Sequence, residues 1–434
     1  MPGQRFYLET LGCPKNQVDS DKLAGTLVAD GLAPTDDPGA ADLVVVNTCA
    51  FIEAARRESI DTVLALGEQR RHGARLVVTG CMAERYGDEL GAALPEVDQV
   101  AGFGVRLHDA ARHRPLIPVA AVDLPKMDLL ELLRPPAAAP WAYVKIAEGC
   151  DRTCGFCAIP SFRGPQRSRP VEAILAEVDA LGAREVVLVA QDLASYGKDA
   201  PEELGAGSIV PLVGAVEARV DRVRLLYLYP SDLSDALIDV ICESGVPYFD
   251  LSLQHVSKPL LRRMRRWGDG DRFLRRIADI RRREPEAAFR SNFIVGYPGE
   301  TEGDHDQLLR FVEEAQLDWC GFFAYSEEAG TYAAGLDGVV APGLVSDRLG
   351  ELSELQDAIT AARRDQLIGR TLDVLVDAPG VGRSHREAPE IDGVVHVDRQ
   401  LPVGTFASVA IVDALGPDLV GLGAFAGALV DLGA

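Results

Sequence analysis

The sequence is short of positive charge. Its 44 Lys and Arg stand against 66 Asp and Glu, for a formal net charge of −22. A surface this acidic repels phosphate backbones at long range and attracts basic partners. This argues against a nucleic-acid substrate, although a local basic patch can override a global sign. Long apolar runs are also missing. The longest late run, Leu419 to Val430, has 12 residues between Asp418 and Asp431, too few to span a bilayer. Met1 to Thr10 carry no charged-then-apolar leader. Eight cysteines in 434 residues are too sparse for a disulfide-stapled secreted scaffold. No Ser-His-Asp set and no phosphate-cradling P-loop is evident. These absences predict a cytoplasmic protein with no membrane partner. Its thiols are then reduced, and clustered cysteines bind metal rather than each other.

What is present has the balance of a folded, multidomain protein. Apolar residues make up 47% and charged residues 25%, and a chain this long suits two or three domains. In residues 1–105, Arg5-Phe-Tyr-Leu-Glu9, Asp42-Leu-Val-Val-Val46 and Arg75-Leu-Val-Val-Thr79 read as strands. Asp19–Ala29 and Ala54–Gln69 carry helical apolar spacing. The alternation predicts an N-terminal α/β domain with a parallel sheet. Residues 106–139 read as a connector, ending in the stiff Arg134-Pro-Pro-Ala-Ala-Ala-Pro140 break. From 140 to 366 the candidate strands are 142–147, 185–190, 223–228, 248–253, 289–295 and 320–325. Helical stretches such as Val171–Leu181 and Gly303–Ala315 separate them. Six strand–helix units predict a barrel, or a partly open one. Residues 367–434 change to short strands punctuated by Gly, Pro and Asp, predicting a small all-β barrel.

Directly after the first barrel strand comes Cys150-Asp-Arg-Thr-Cys154-Gly-Phe-Cys157. Three thiolates spaced C-x3-C-x2-C can wrap one corner of a 4Fe–4S cube, and soft charged donors suit such a cluster. Three ligands for four irons leave one iron open to a small molecule. The competing readings are a zinc site and unrelated core thiols. Structural zinc wants four ligands, and no fourth Cys or His lies nearby in sequence.

Cys13, Cys49 and Cys81 are far apart in sequence, yet each follows a predicted strand. Residues just beyond the carboxyl ends of parallel strands gather along one edge. These three either converge there or are buried apolar thiols. Cys242 and Cys320 have no partners at cluster spacing and read as core thiols. His255 follows a strand and reads as a structural histidine. Gln191, Gln254, Asn292 and Glu300 fall at predicted strand ends on the barrel's active face, as candidate cofactor contacts.

The cysteine spacing, with an aromatic residue, Phe156, before the last thiol, resembles the radical S-adenosylmethionine superfamily. Phe293-Ile-Val-Gly-Tyr-Pro-Gly-Glu300 resembles the stretch that packs near the adenine in that superfamily. Leu11-Gly-Cys-Pro-Lys-Asn-Gln-Val-Asp-Ser20, Val46-Asn-Thr-Cys-Ala-Phe-Ile52 and Val78-Thr-Gly-Cys-Met-Ala83 look like the N-terminal domain of the methylthiotransferases. The likeness continues through Cys150–Arg169, Leu253–Ser257, Asn292–Thr301 and Phe323–Thr331, and the all-β tail resembles the TRAM domain of that family. The resemblance implies an enzyme with two 4Fe–4S clusters. One, on Cys150, Cys154 and Cys157, would bind S-adenosylmethionine at its open iron and cleave it to a 5′-deoxyadenosyl radical. The other, on Cys13, Cys49 and Cys81, would carry the sulfur or methylthio group. Phe156, Gln191, Gln254, Asn292 and Glu300 would contact S-adenosylmethionine. A sulfur source and an electron donor would come from outside the chain.

Members of the family modify either a transfer-RNA adenosine or an aspartate β-carbon of small-subunit ribosomal protein S-twelve. Leu11–Asn16, Gly149-Cys-Asp151 and Gln191-Asp192 look like the ribosomal-protein branch. The tail from Leu367 carries four Arg and no Lys against nine Asp and Glu. An acidic barrel suits a basic ribosomal protein better than RNA. The Arg-rich stretch from Arg262 to Arg290 points the other way, and its plain reading is a pair of solvated helix faces. A non-catalytic iron–sulfur scaffold is disfavoured, because neither cluster has an evident fourth protein ligand.

Overall fold

The computed structural model describes residues 3–108, 127–204 and 209–424. Residues 109–126 of the expected connector lie outside that set, as do residues 425–434, which include the end of the Leu419–Val430 run. In the N-terminal domain, β1 (Arg5–Thr10), β2 (Leu43–Thr48) and β3 (Arg75–Gly80) form the middle of a five-stranded parallel sheet. Short strands at Ala33–Pro34 and Gln99–Val100 close its two edges. The Val44-Val45-Val46 run is fully buried, as a central parallel strand covered on both faces must be.

Helices α1 (Pro14–Ala29), α2 (Glu53–Gln69) and α3 (Cys81–Ala93) follow the three strands. The spacing predicts α1 only from Asp19. The helix begins five residues earlier, where Pro14 suits the first helical position. That first turn is polar, so apolar periodicity misses it. Lys15 and Asn16 there, and Asp19 in the next turn, are nonetheless buried.

The second domain has six parallel strands: β4 (Trp141–Lys145), β5 (Glu185–Val189), β6 (Arg222–Leu225), β7 (Tyr248–Gln254), β8 (Ala288–Val295) and β9 (Trp319–Ala324). They form two three-stranded sheets, joined by a parallel bridge between Leu228 and Leu251. The result is the expected part-barrel. The strand expected over 142–147 divides. Ala147–Glu148 leaves β4 and pairs antiparallel with Arg167–Ser168. This small ladder closes the loop that carries Cys150, Cys154 and Cys157. The barrel core packs Val144, Leu188, Leu225, Phe249, Phe289 and Phe293. No described helix is long and apolar enough to cross a membrane.

The tail forms a closed barrel of β10 (Thr371–Ala378), β11 (Val381–Arg383), β12 (Val395–His396), β13 (Phe406–Leu415) and β14 (Asp418–Ala424). It docks on the part-barrel through buried ions. Glu185 accepts from Arg224 at 2.8 Å and from Arg383 at 3.1 Å, and all three side chains are buried. Arg222 reaches Asp373 of the tail at 3.1 Å.

The Arg-rich stretch is only partly a solvated surface. Arg276 and Arg283 pair with Asp235 and Asp239 on the exterior, as expected. Arg290 instead turns inward to Asp250 and Asp392, and Arg266 turns into the barrel mouth to donate to the Ser252 carbonyl. The inward turn follows from the local chain path, which periodicity does not encode.

Burial raises the Glu185 carboxyl, but Arg383 and Arg224 outweigh it and hold it below its ordinary range. The pair therefore contributes stability at neutral pH, and that contribution is lost as pH falls through the folded-state value. Replacing Glu185→Ala leaves the buried Arg224 guanidinium without a carboxylate and Arg383 with Asp377 alone. A loss of about 3–5 kcal/mol is expected in urea unfolding at pH 7. An unchanged midpoint contradicts the docking role.

Candidate active site

The carboxyl ends of β1, β2 and β3 lie side by side, and each carries one cysteine. Cys13 caps the start of α1, Cys49 follows β2, and Cys81 opens α3. Asn16 ties the three loops together. Its Nδ2 donates to the carbonyls of Leu11 at 2.9 Å and Thr48 at 3.1 Å, and its Oδ1 accepts from the Cys81 thiol at 3.4 Å. Gly80 has φ +90°, and a Cβ there would lie 2.1 Å from the Asn47 side-chain oxygen, so only glycine fits before Cys81. A Cβ on Gly12 would lie 2.8 Å from that of Cys49. The first and second cysteine loops therefore touch. The three distant cysteines converge, as the strand-end argument expects.

The second set sits on the loop between Glu148 and Arg167. Gly149, at φ +78°, packs against the Pro165 carbonyl, where a Cβ would come within 2.0 Å. The Cys150 N–H donates to the Gly164 carbonyl at 3.1 Å, and the Cys157 N–H to the Cys154 carbonyl at 3.1 Å. The Cys150 sulfur accepts from the Arg152 N–H, and the Cys154 sulfur from Arg266 Nη1, both at 3.4 Å. Both guanidinium groups lie on the Tyr229 ring, 4.0 and 3.9 Å from its centroid.

Arg163 and Gly164 join the two sets. Arg163 Nη2 donates to the Cys81 sulfur at 3.0 Å and to Asn16 Oδ1 at 2.8 Å, while the next residue, Gly164, accepts from Cys150. Arg163 also pairs with Glu148 at 2.8 Å and with Asp19 at 3.3 Å. Lys145 pairs with the same two carboxylates. Arg163, Lys145, Glu148 and Asp19 thus form one ion cluster across the junction of the first two domains. The sequence reading assigns none of these four a role. The signal available was Arg163 lying six residues past Cys157, inside the stretch that resembles the family.

The expected cofactor contacts are spread around the barrel mouth. Gln191 donates to Glu148 at 2.7 Å, and its buried Oε1 has no partner among the described residues. The same is true of Asn292 Oδ1. Gln254, at φ +70°, ends β7. Phe156 packs against the barrel core. Glu300 is different, because its oxygens accept from the Gly296 N–H at 2.5 Å and from Arg348 at 3.0 Å. It holds the Gly296–Gly299 turn. His255 is buried and accepts from the Ser257 N–H, and burial pushes it down to about 4, so it is neutral. Cys242 and Cys320 pack against the barrel core, and burial raises both thiols.

The donor chemistry suits clusters better than a single ion. No three described His, Cys, Asp or Glu side chains close around one metal ion. The first set offers three thiols from three loops and the second three from a single loop, each set a three-thiol face suited to a multi-iron cube. The unpartnered acceptors Gln191 Oε1 and Asn292 Oδ1 suit a ligand bearing N–H and O–H donors, as S-adenosylmethionine does. Burial pushes Cys49 and Cys157 up to about 12 and Cys150 to about 11. Iron loading must displace protons there. Burial also raises Cys13, but Lys15 and Arg163 outweigh it, so its thiol is lowered. Cys13 is only half-buried, whereas Cys49 and Cys81 are buried. In metal-free protein at pH 8, iodoacetamide is expected to label Cys13 ahead of the other two, as read by peptide mass spectrometry. Equal or reversed labelling contradicts this geometry.

Comparison with known proteins follows the same three divisions. The family described as Uncharacterized protein family UPF0004 matches residues 5–102, the Radical SAM superfamily 144–312, and the TRAM domain 368–422. The chain is 44% identical to the ribosomal protein uS12 methylthiotransferase RimO of Salinispora tropica, over 90% of this chain and 88% of the relative. It is also 44% identical to that of Moorella thermoacetica, over 94% and 96%. A solved structure of the radical S-adenosylmethionine methyltransferase TsrM from Kitasatospora setae aligns with 92% of this chain and 82% of its own. Its TM-score is 0.52 at 12% identity, a likeness of fold alone. With relatives at this identity along nearly its whole length, the chain belongs to the RimO family of radical S-adenosylmethionine methylthiotransferases.

Proposed function

We propose that this chain attaches a methylthio group to the β-carbon of an aspartate of ribosomal protein uS12. The observation that carries the reading is the pair of three-cysteine sets joined through Arg163 and Gly164. Cys150, Cys154 and Cys157 would hold the cluster that binds S-adenosylmethionine, and Cys13, Cys49 and Cys81 the auxiliary cluster. When bound, these groups supply the radical that opens an unactivated C–H bond and the sulfur that replaces the hydrogen.

The chain's own residues orient and shield that chemistry. Asn16 and Arg163 fix Cys81, and Arg266 and Arg152 donate to the sulfurs of the second set. Gln191 and Asn292 present unpartnered acceptors to S-adenosylmethionine. Phe156 and Gln254 border the same mouth. The domain limits that fit this division of labour are 1–105, 140–366 and 367–434, with 106–139 connecting them. An electron donor and a sulfur source act from outside the chain.

A transfer-RNA adenosine is the competing substrate. The inward and ion-paired Arg262–Arg290 stretch removes much of its support, and the tail is acidic. A basic ribosomal protein fits that surface. Two measurements test the reading. Anaerobic reconstitution is expected to give about eight irons per chain, falling to about four when either cysteine set is replaced by alanine. About four irons in the parent protein contradicts two clusters. In a deletion strain, mass spectrometry is expected to show the methylthio mark lost from uS12 and kept on transfer RNA. Loss from RNA alone overturns the substrate.

A further inference from the structure

Buried cations in this protein have anionic partners. Lys22, Lys145, Arg169, Arg222, Arg224, Arg348, Arg364, Arg383 and Arg386 each lie within ion-pair distance of a carboxylate. Lys15 is the exception among the described residues. Its side chain is buried, with the residue only 7% exposed, and no carboxylate lies within ion-pair distance. Its ammonium lies over the Tyr227 ring, 3.4 Å from the centroid.

The surroundings sharpen the imbalance. Lys15 lies in the first turn of α1, where the helix dipole already places positive charge, and that turn has no acidic residue. Tyr227, just past the carboxyl end of β6, is held at φ +66°, and its N–H donates to Asp250 at 2.9 Å. Asp250 is itself engaged by Arg290. The fold thus keeps a strained aromatic platform under an ammonium that has no carboxylate partner, beside the Cys13 thiol that it lowers. Leaving such a cation unpaired in the interior is costly unless an anion arrives.

The location identifies the anion. Lys15 is two residues from Cys13 and reaches across the junction to the barrel mouth, so it stands where the sulfur-bearing set meets the radical-forming one. On the reading that uS12 aspartate is the substrate, the substrate itself brings a carboxylate to this place. We infer that Lys15 binds the side-chain carboxylate of the target aspartate and so distinguishes it from uncharged residues. The β-carbon is one bond from that carboxylate. Holding the carboxylate therefore fixes the direction in which the reacting C–H bond points. A charge-assisted hydrogen bond over an aromatic face provides the discrimination.

The test is binding, not turnover. Reconstituted protein is held anaerobically with S-adenosylmethionine and no reductant. It is titrated with uS12 and with uS12 whose target aspartate is changed to asparagine. The parent protein is expected to prefer the aspartate form by about tenfold or more. With Lys15→Gln the two forms are expected to bind within about twofold, and with Lys15→Arg a preference for aspartate returns. A structural role, or one confined to the charge of the auxiliary cluster, weakens both forms alike and leaves their ratio intact. That result overturns the proposal. So does a parent protein that binds both forms equally, which requires no variant to fold. A parent protein that binds neither form but binds transfer RNA overturns the uS12 reading itself.

Discussion

The structure depends on one buried cluster of charges. Asp19 and Glu148 are held between Lys145 and Arg163, all at the junction of the N-terminal domain and the part-barrel. Taking four charges out of water costs several kcal/mol each, and only tight mutual geometry offsets it. Such a cluster contributes little net stability for its size. It does penalise any other docking of the two domains, since each alternative leaves a charge unpaired. Here that penalty fixes orientation. The carboxyl edges of two parallel sheets are made to face each other, and both cysteine sets lie on those edges.

Parallel strands make this arrangement economical. Every βα connection emerges at the same edge, so residues far apart in sequence meet without a long loop. Cys13, Cys49 and Cys81 use one such edge and the Cys150–Cys157 loop another. Arg163 serves both sides. It ends the short helix Ile159–Arg163 inside the second cysteine loop, yet it donates to a sulfur of the first set. The tail barrel adds a third body through Glu185, Arg224 and Arg383, again by ions that match in only one pose.

Much of this was legible in the residues, and the exceptions share a cause. The six barrel strands, the three N-terminal strands and the all-β tail follow from apolar alternation and fall within a few residues of their predicted positions. Local spacing singles out Cys150, Cys154 and Cys157, whereas Cys13, Cys49 and Cys81 become a set only through the family resemblance, their place after strands leaving buried apolar thiols open. What escaped was every polar residue buried by a distant partner. The first turn of α1 looked unlike a helix face because Lys15 and Asn16 pack against another domain. Arg266 and Arg290 looked like surface charge because their partners lie on other strands. Glu300, read as a candidate ligand contact, also accepts from the Gly296 N–H and Arg348, partners that periodicity does not reveal. Periodicity reports which face is apolar. It does not report which polar groups a second domain will cover.

The central claim is that the two cysteine sets face each other at a single junction. Its most direct test is electron paramagnetic resonance on the reduced, fully loaded protein. The spectrum is compared with the sum of those from two variants, each retaining one cysteine set. Clusters held on either side of Arg163 should couple magnetically, so the intact protein should show broadened, faster-relaxing signals that the sum does not reproduce. A spectrum equal to the sum would mean that the sets lie far apart, and would contradict this account.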